Sequence, residues 1–206
     1  MSNHSEEAPE QRTERENQRA SVLSQAAERF AGPLATRAKI MEREQLATLV
    51  GRRQQAGERA VFTNGCFDLL HLGHVRYLQE ARALGDFLIV GLNSDESVRA
   101  LKGPGRPLVP QEERAEILAA LACVDYVTIF GEPTACHLVA LLRPAIYVKG
   151  GDYAAPSTAA HGGNAPDPTR LPEAQVVQTY GGSVRLLPYL AHHSTTELIM
   201  AIKRLP

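Results

Sequence analysis

The pattern of apolar and polar residues changes near residue 57. Between about residues 20 and 55, apolar residues recur at helical spacing, as in SVLSQAAERF and IMEREQLATLVGRRQQAG. Gly32-Pro33 interrupts this pattern, so the sequence predicts two helices separated by a turn. Residues 1–20 contain almost no apolar residues and are predicted to be disordered, because they bury too little surface to offset the entropy of ordering. We interpret residues 21–57 as a helical extension that packs on the core or on a second subunit.

After residue 57, short apolar runs alternate with amphipathic segments. Five runs predict strands: RAVFTN, DFLIVGL, VDYVTIF, AIYVKGG and SVRLLPYL. The segments between them predict helices, including 72–84, 134–142, 173–180 and the last segment, STTELIMAIKRL. Such alternation of nearly continuous apolar strands with helices predicts a parallel sheet covered on both faces. With right-handed crossovers, the expected fold class is α/β: a Rossmann-like, doubly wound, parallel five-stranded sheet over residues 58–206, preceded by the N-terminal helical extension.

One segment departs from this alternation. Residues 154–170, AAPSTAAHGGNAPDPTR, are rich in Ala, Pro and Gly and have no period, which predicts a long surface loop inserted into the domain. Two interpretations stay open. The loop is either a lid over a site or an insertion peculiar to this lineage.

The charge and residue composition limit the kinds of partner that the chain is expected to bind. The 22 basic and 23 acidic residues give a net charge of −1, so the chain lacks the overall basic field typical of nucleic-acid binding, and any anion must be held locally. Cysteines 66, 123 and 136 are odd in number, which favours unpaired thiols in a reducing compartment. No apolar run approaches the roughly 18 residues of a membrane span, and the N-terminus lacks the apolar segment of a secretion signal. We expect a cytoplasmic protein that binds neither nucleic acid nor membrane.

The stretch TNGCFDLLHLGHVRYL, residues 63–78, lies where the first strand passes into a helix. Ligands of doubly wound sheets bind at the carboxyl ends of strands, where the strand order switches. Gly65 lets backbone N–H groups approach a ligand, and the helix N-terminus attracts phosphate. His71 and His74 fall on one helix face, and both can donate to phosphate oxygens. The alternatives are that the histidines cap and pack the helix, or form part of a metal site, although no Cys, Asp or Glu at ligand spacing accompanies them.

The motif G-C-F-D-x-x-H-x-G-H resembles the signature of the cytidylyltransferase-like nucleotidyltransferases. Further matches follow in the family's order: GLNSDESV, LKGPGRP, EERAEIL, VDYV, YVKGGDY and HSTTELI. TNGCFD, LKG..RP and VKGGDY look most like the bacterial adenylyltransferases that act on D-glycero-β-D-manno-heptose 1-phosphate. The resemblance implies that ATP with Mg²⁺ and a sugar 1-phosphate give ADP-heptose and pyrophosphate. It also implies a homodimer, and a separate sugar kinase that supplies the substrate.

The resemblance also implies the roles of individual residues. The catalytic residues would be His71, His74 and Lys102. Those expected to bind the nucleotide are Gly65, Cys66, Phe67, His71, His74, Arg114, Gly150, Asp152, Ser194, Thr195 and Thr196. Those expected to contact the substrate are Asp68, Asn93, Asp95, Lys102 and Lys149. Arg114 and, more weakly, Arg106 either order the loop or touch phosphates, although Arg114 could equally be an exposed helix arginine. Ser194 to Thr196 would look the same as plain helix caps. Asp68 is also a candidate for contact with the metal, but metal ligands stay unassigned, because Mg²⁺ is expected to be held mainly by ATP phosphates and water.

Two other functions remain open. A cytidylyltransferase acting on glycerol 3-phosphate or a related alcohol phosphate would be expected to have G-T-F-D at the turn, where this chain has G-C-F-D, which favours ATP. A nucleotide-binding module without catalysis has no chemical need to keep the histidines, Lys102 and the hydroxyls of residues 194–196 together. The insertion at 154–170 departs from the family pattern and leaves the substrate preference open. His193 is a second departure, because it stands before STT in place of a small or apolar residue.

Overall fold

The computed structural model describes residues 32–150, 171–188 and 193–205. The predicted disorder of residues 1–20, the loop at 154–170, Asp152 and His192 lie outside these ranges. The chain divides into two compact units, Met1–Ala38 and Lys39–Pro206. In the first unit the structure describes a helix, α1, at Gly32–Arg37. The Gly32-Pro33 pair therefore opens a helix, a position that suits proline because the first turn needs no N–H from it.

In the second unit, strands and helices alternate as predicted. The elements are α2 (Arg43–Gln55), β1 (Ala60–Gly65), α3 (Leu72–Arg82), β2 (Phe87–Asn93), α4 (Asp95–Lys102), α5 (Gln111–Ala120), β3 (Tyr126–Phe130), α6 (Cys136–Leu142), β4 (Ile146–Gly150), α7 (Glu173–Thr179), β5 (Ser183–Leu187) and α8 (Thr195–Lys203). The three cysteines are unpaired, as predicted. Among the helices that the structure describes, none combines the length and the apolar character needed to cross a bilayer.

The five strands form one parallel sheet in the order β3-β2-β1-β4-β5. This confirms the predicted fold class. β2 and β3 lie in turn on one side of β1, and β4 and β5 lie in turn on its other side. The order therefore switches between β1 and β4, and the crevice beyond their carboxyl ends is where such folds bind ligands.

Two apolar clusters cover the two faces of the sheet. Phe62 of β1 belongs to one cluster, with Phe87 and Tyr147, whereas its neighbour Val61 belongs to the other, with Leu88. Neighbouring strand residues thus point to opposite faces. Because both faces are covered, strands such as β2 are buried at every position, which explains the continuous apolar runs in the sequence.

The domain boundary predicted at residue 57 differs from the observed division of the chain. α2 buries Leu46 and Val50 in the cluster that contains Phe62, so this helix is part of the compact unit that begins at Lys39. Just before α2, Ile40 forms a parallel bridge with Val127 at the edge of the sheet. Residues 38–42 therefore separate α1 from α2 and interrupt the helical pattern a second time, which was not predicted.

Candidate functional site

The turn after β1, residues 66–71, sits at the switch point of the sheet. Phe67 has a φ of 43° in this turn. A Cβ at Gly65 would lie 3.1 Å from the ring of Phe67, so glycine makes room for that ring. The ring in turn contacts His74 edge-on, with 5.3 Å between the centroids. The tight turn thus carries an aromatic side chain onto the helix that follows.

His71 and His74 stack on each other at the start of α3. Their ring centroids are 3.9 Å apart, and the planes differ by 26°. His71 occupies the N-cap position, but its side chain makes no capping hydrogen bond. The Nδ1 atoms of both rings are buried and have no hydrogen-bond partner among the described residues. Buried polar atoms are normally paired, so two unpaired nitrogens at a helix N-terminus favour a ligand over the capping interpretation.

The two imidazoles are uncharged near neutral pH. Burial, assisted by the neighbouring His71, lowers the pKa of His74 to about 4, although a hydrogen bond to the Leu69 backbone opposes the shift. Burial also lowers the pKa of His71; His193 adds to that shift and Glu197 opposes it. A bound polyanion would raise both pKa values, because opposite charge favours the protonated form. The pair is therefore suited to take up a proton when an anion binds.

The N-terminus of α8 lies beside the same turn. Thr195 donates from Oγ1 to the carbonyl of Leu69, at 3.4 Å. Ser194 caps α8 by accepting from the N–H of Glu197 at 3.1 Å, which is the plain capping role considered from sequence, and Thr196 is exposed. His193 was not among the predicted site residues. A Cβ at Gly73 would lie 3.1 Å from the Cβ of His193, so this third imidazole borders the pair; the only sequence signal for it was its position before STT.

On the other side of β1, Arg114 is almost fully buried. It donates to the carbonyl oxygens of Val109 (2.9 Å) and Cys66 (2.5 Å). It also pairs with the carboxylate of Asp95 at 2.7 Å. Of the two roles considered for Arg114, ordering the loop agrees with these contacts. Asp95, expected to face the substrate, serves as the counter-ion of Arg114.

Asp68 holds the loop between α4 and α5, residues 103–110. Its side chain is 1% exposed and pairs with Arg106. The Oδ1 atom also accepts from the N–H groups of Leu108 (2.7 Å) and Val109 (3.0 Å). With both oxygens engaged, Asp68 is not available to the substrate or to a metal in this arrangement. Asn93 is likewise buried and donates to Ser97 at 2.9 Å.

Two lysines lie near the turn. Lys149, close to the end of β4, donates to the carbonyl of Asn64 at 2.9 Å and is largely buried, as is the neighbouring Gly150. Lys102, the last residue of α4, is exposed. Burial raises the pKa of the Cys66 thiol, although Lys102, Arg114 and Lys149 act to lower it. Both lysines therefore act on the turn electrostatically. Within the described ranges, no group of three or more His, Cys, Asp or Glu residues is arranged to hold a metal ion.

Known proteins are similar to this chain over most of its length. A family model described as cytidylyltransferase-like matches residues 62–167, just over half of the chain. The chain belongs to the cytidylyltransferase-like family. The cytidylyltransferase-like match includes the two histidines, Lys102, Arg114 and Lys149, and ends before α8.

Individual relatives match a larger part of the chain than the family model does. The chain is 49% identical over 165 residues to the bifunctional protein HldE of Geobacter sulfurreducens, and 51% identical over 166 residues to that of Geotalea uraniireducens. These matches cover 80% and 81% of this chain but 31% of each relative, so the chain spans about a third of their length. Among solved structures, a lipopolysaccharide core biosynthesis protein from Thermoplasma volcanium GSS1 is similar, with a TM-score of 0.50 and 25% identity over 66% of this chain and 100% of that one.

Proposed function

We propose that this chain transfers AMP from ATP to D-glycero-β-D-manno-heptose 1-phosphate, giving ADP-heptose and pyrophosphate. The observation that carries the proposal is the stacked pair of His71 and His74, whose unpaired nitrogens lie at a helix N-terminus. The choice of sugar is supported by the motif resemblance and by the similarity to a protein of lipopolysaccharide core biosynthesis, since such a core is built from activated sugars. A homodimer and a sugar kinase that supplies the substrate belong to the same proposal.

The reaction needs charge stabilisation more than proton transfer. An oxygen of the sugar phosphate forms a bond to the α-phosphorus of ATP, the bond from that phosphorus to the bridging oxygen breaks, and pyrophosphate leaves with the electron pair. A phosphate monoester is largely dianionic near pH 7, because its second pKa is about 6, so the attacking oxygen needs no general base. Catalysis then consists of positioning and of stabilising the charge on the α-phosphate and the leaving group. Two imidazoles that donate hydrogen bonds to phosphate oxygens, and that can take up a proton when the polyanion binds, suit this task.

The residues are assigned to the two substrates according to their position. The N-termini of α3 and α8 would hold the triphosphate, with His71 and His74 donating to its oxygens. Ser194, Thr195, Thr196, Gly150 and Asp152 would complete the nucleotide site. Lys102 would bridge the α-phosphate and the substrate phosphate, and Lys149 would lie on the sugar side.

The divalent metal expected with ATP would be held by the nucleotide's phosphates and water. The described residues fit this arrangement, because their carboxylates form no metal cluster and Asp68 is already paired. Bound there, Mg²⁺ would neutralise charge on the leaving pyrophosphate.

Pyrophosphate release in the presence of Mg²⁺ tests the proposal. ATP, CTP and GTP are each combined with heptose 1-phosphate, with other hexose 1-phosphates and with glycerol 3-phosphate. We expect release with ATP and heptose 1-phosphate, and a loss of about 100-fold or more in His74→Ala. His137→Ala is the matched control, because this histidine on α6 has a side chain that is 66% exposed. Release with CTP and glycerol 3-phosphate would replace the proposal with the first alternative, and nucleotide binding without release from any pair would leave only the binding module.

A further inference from the structure

We propose that Arg106 binds the phosphate of the sugar substrate, and that the buried carboxylate of Asp68 positions it for this task. The inference rests on the proposed function and deepens it, because it names the group that recognises the second substrate. Asp68 is then a positioning residue, which acts through the arginine rather than by touching the substrate.

The contacts of Asp68 show that Arg106 is not needed to anchor the loop. A carboxylate with 1% of its side chain exposed requires partners. Its Oδ1 atom already accepts from two backbone N–H groups, those of Leu108 and Val109, which hold the loop directly. Arg106 pairs with the other oxygen, Oδ2, through Nε. The ion pair therefore fixes the direction of the arginine in a loop that has its own anchors.

The outer end of Arg106 is available. Its pairing atom is Nε, at the base of the guanidinium, and Nη1 and Nη2 have no hydrogen bond to any described residue. The side chain keeps 23% of its surface exposed. The two terminal amino groups form a planar fork that matches the oxygens of a phosphate. Asp68 thus holds the arginine through Nε, and the two terminal amino groups have no hydrogen-bond partner among the described residues.

Arg106 and Lys102 are separated in the chain by a tight turn. The N–H of Arg106 donates to the carbonyl of Gly103 at 3.2 Å, which closes a turn over the sequence Gly-Pro-Gly. The two cations flank this turn, in the loop that follows β2 and α4, and β2 lies on the opposite side of β1 from β4 and β5. A phosphate monoester carries close to two negative charges near pH 7. Lys102 and Arg106 both supply donors to such a group, although the carboxylate of Asp68 offsets one of their two positive charges. The helix N-termini and the imidazole pair are then left for the triphosphate.

Separate Michaelis constants for the two substrates test this assignment. Pyrophosphate release is measured with ATP and heptose 1-phosphate for wild type, Arg106→Gln, Arg106→Lys, Asp68→Asn and the control Arg52→Gln, an exposed arginine on α2. Arg106→Gln is expected to raise the KM for heptose 1-phosphate by about 10- to 100-fold, the range for a lost charged hydrogen bond, and to change the KM for ATP less than about twofold. Arg106→Lys should recover part of the loss, because it keeps the charge but not the fork. Asp68→Asn should raise the same KM, and the double variant should be no worse than Arg106→Gln alone.

A purely structural arginine gives a different result. Arg106→Gln would then lower kcat and the thermal midpoint and leave both KM values unchanged, which would overturn the inference, as would a rise confined to the KM for ATP. Calorimetric titration with heptose 1-phosphate alone separates this from failure of the proposed function. If wild type binds the sugar phosphate but releases no pyrophosphate, and Arg106→Gln loses that binding, the inference stands and the proposed reaction falls. If wild type neither binds nor turns over the sugar phosphate, both are overturned.

Discussion

Arg114 on α5 pairs with Asp95 at the start of α4, with 2.7 Å between Nη2 and Oδ1. The guanidinium is 1% exposed, so Asp95 neutralises a charge that has almost no contact with water. The other donors of Arg114 reach the carbonyls of Cys66 and Val109. One side chain therefore joins the turn after β1, the start of α4 and the end of the loop that carries Arg106.

Arg114→Gln should destabilise the fold by about 3 kcal/mol, because it leaves Asp95 and two carbonyls without their partner. Urea denaturation measures the change. Arg99→Gln, at an exposed arginine near the end of α4, is the matched control and should change stability by less than about 0.5 kcal/mol. If the two variants had equal stability, Arg114 could not be the residue that holds these segments together.

The strands were predictable because burial on both faces of the sheet requires apolar residues along each strand. A strand covered on both faces is apolar at every position, as in β2, and the alternation with helices then fixes a parallel sheet. The surface that α2 packs against could not be predicted in this way. Helical spacing indicates that Leu46 and Val50 share a face, but it does not say that this face covers the sheet rather than a second subunit.

Site residues that are close in sequence could be placed together in advance, whereas contacts between residues far apart in sequence could not. His71 and His74 lie within one helical turn, so their spacing alone placed them together. Asp68 and Arg106 are 38 residues apart, and Arg114 is 48 residues from Cys66. A lone carboxylate or guanidinium in a motif looks the same in sequence whether it faces a ligand or another residue. Only the fold shows that Asp68, Asp95 and Arg114 contact protein groups.

Gly73→Ala should weaken ATP binding by roughly tenfold and leave the fold intact. The new Cβ would lie 3.0 Å from the His71 ring and 3.1 Å from the Cβ of His193, so the imidazole pair must shift. Calorimetry with ATP measures the affinity, and a loss of about 1.4 kcal/mol corresponds to the expected factor. Gly51→Ala in α2 is the control. Because no atom lies within 4 Å of that Cβ, it should raise stability by about 0.5–1 kcal/mol with unchanged ATP affinity. Equal ATP affinity in the two variants would show that the imidazole pair does not contribute to ATP binding.

The stability of the ligand-free protein should fall as the pH is lowered from about 6.5 toward 4. The folded state holds the pKa of His74 at about 4, mainly through burial and further through His71. An unfolded histidine has a pKa near 6.5, so between these values the unfolded chain binds more protons, and acid favours it. The depressed pKa of His71 acts in the same direction. Each histidine contributes at most about 1.4 kcal/mol per pH unit.

Urea denaturation between pH 7.5 and 5 measures this slope above the range in which the carboxylates titrate. His74→Gln should flatten it, because the glutamine has no proton to gain. A slope that His74→Gln does not alter would mean that His74 is not held in its neutral form by the fold. The proposed proton uptake on binding a triphosphate would then lose its physical basis, since that uptake depends on a histidine whose pKa the free protein keeps low.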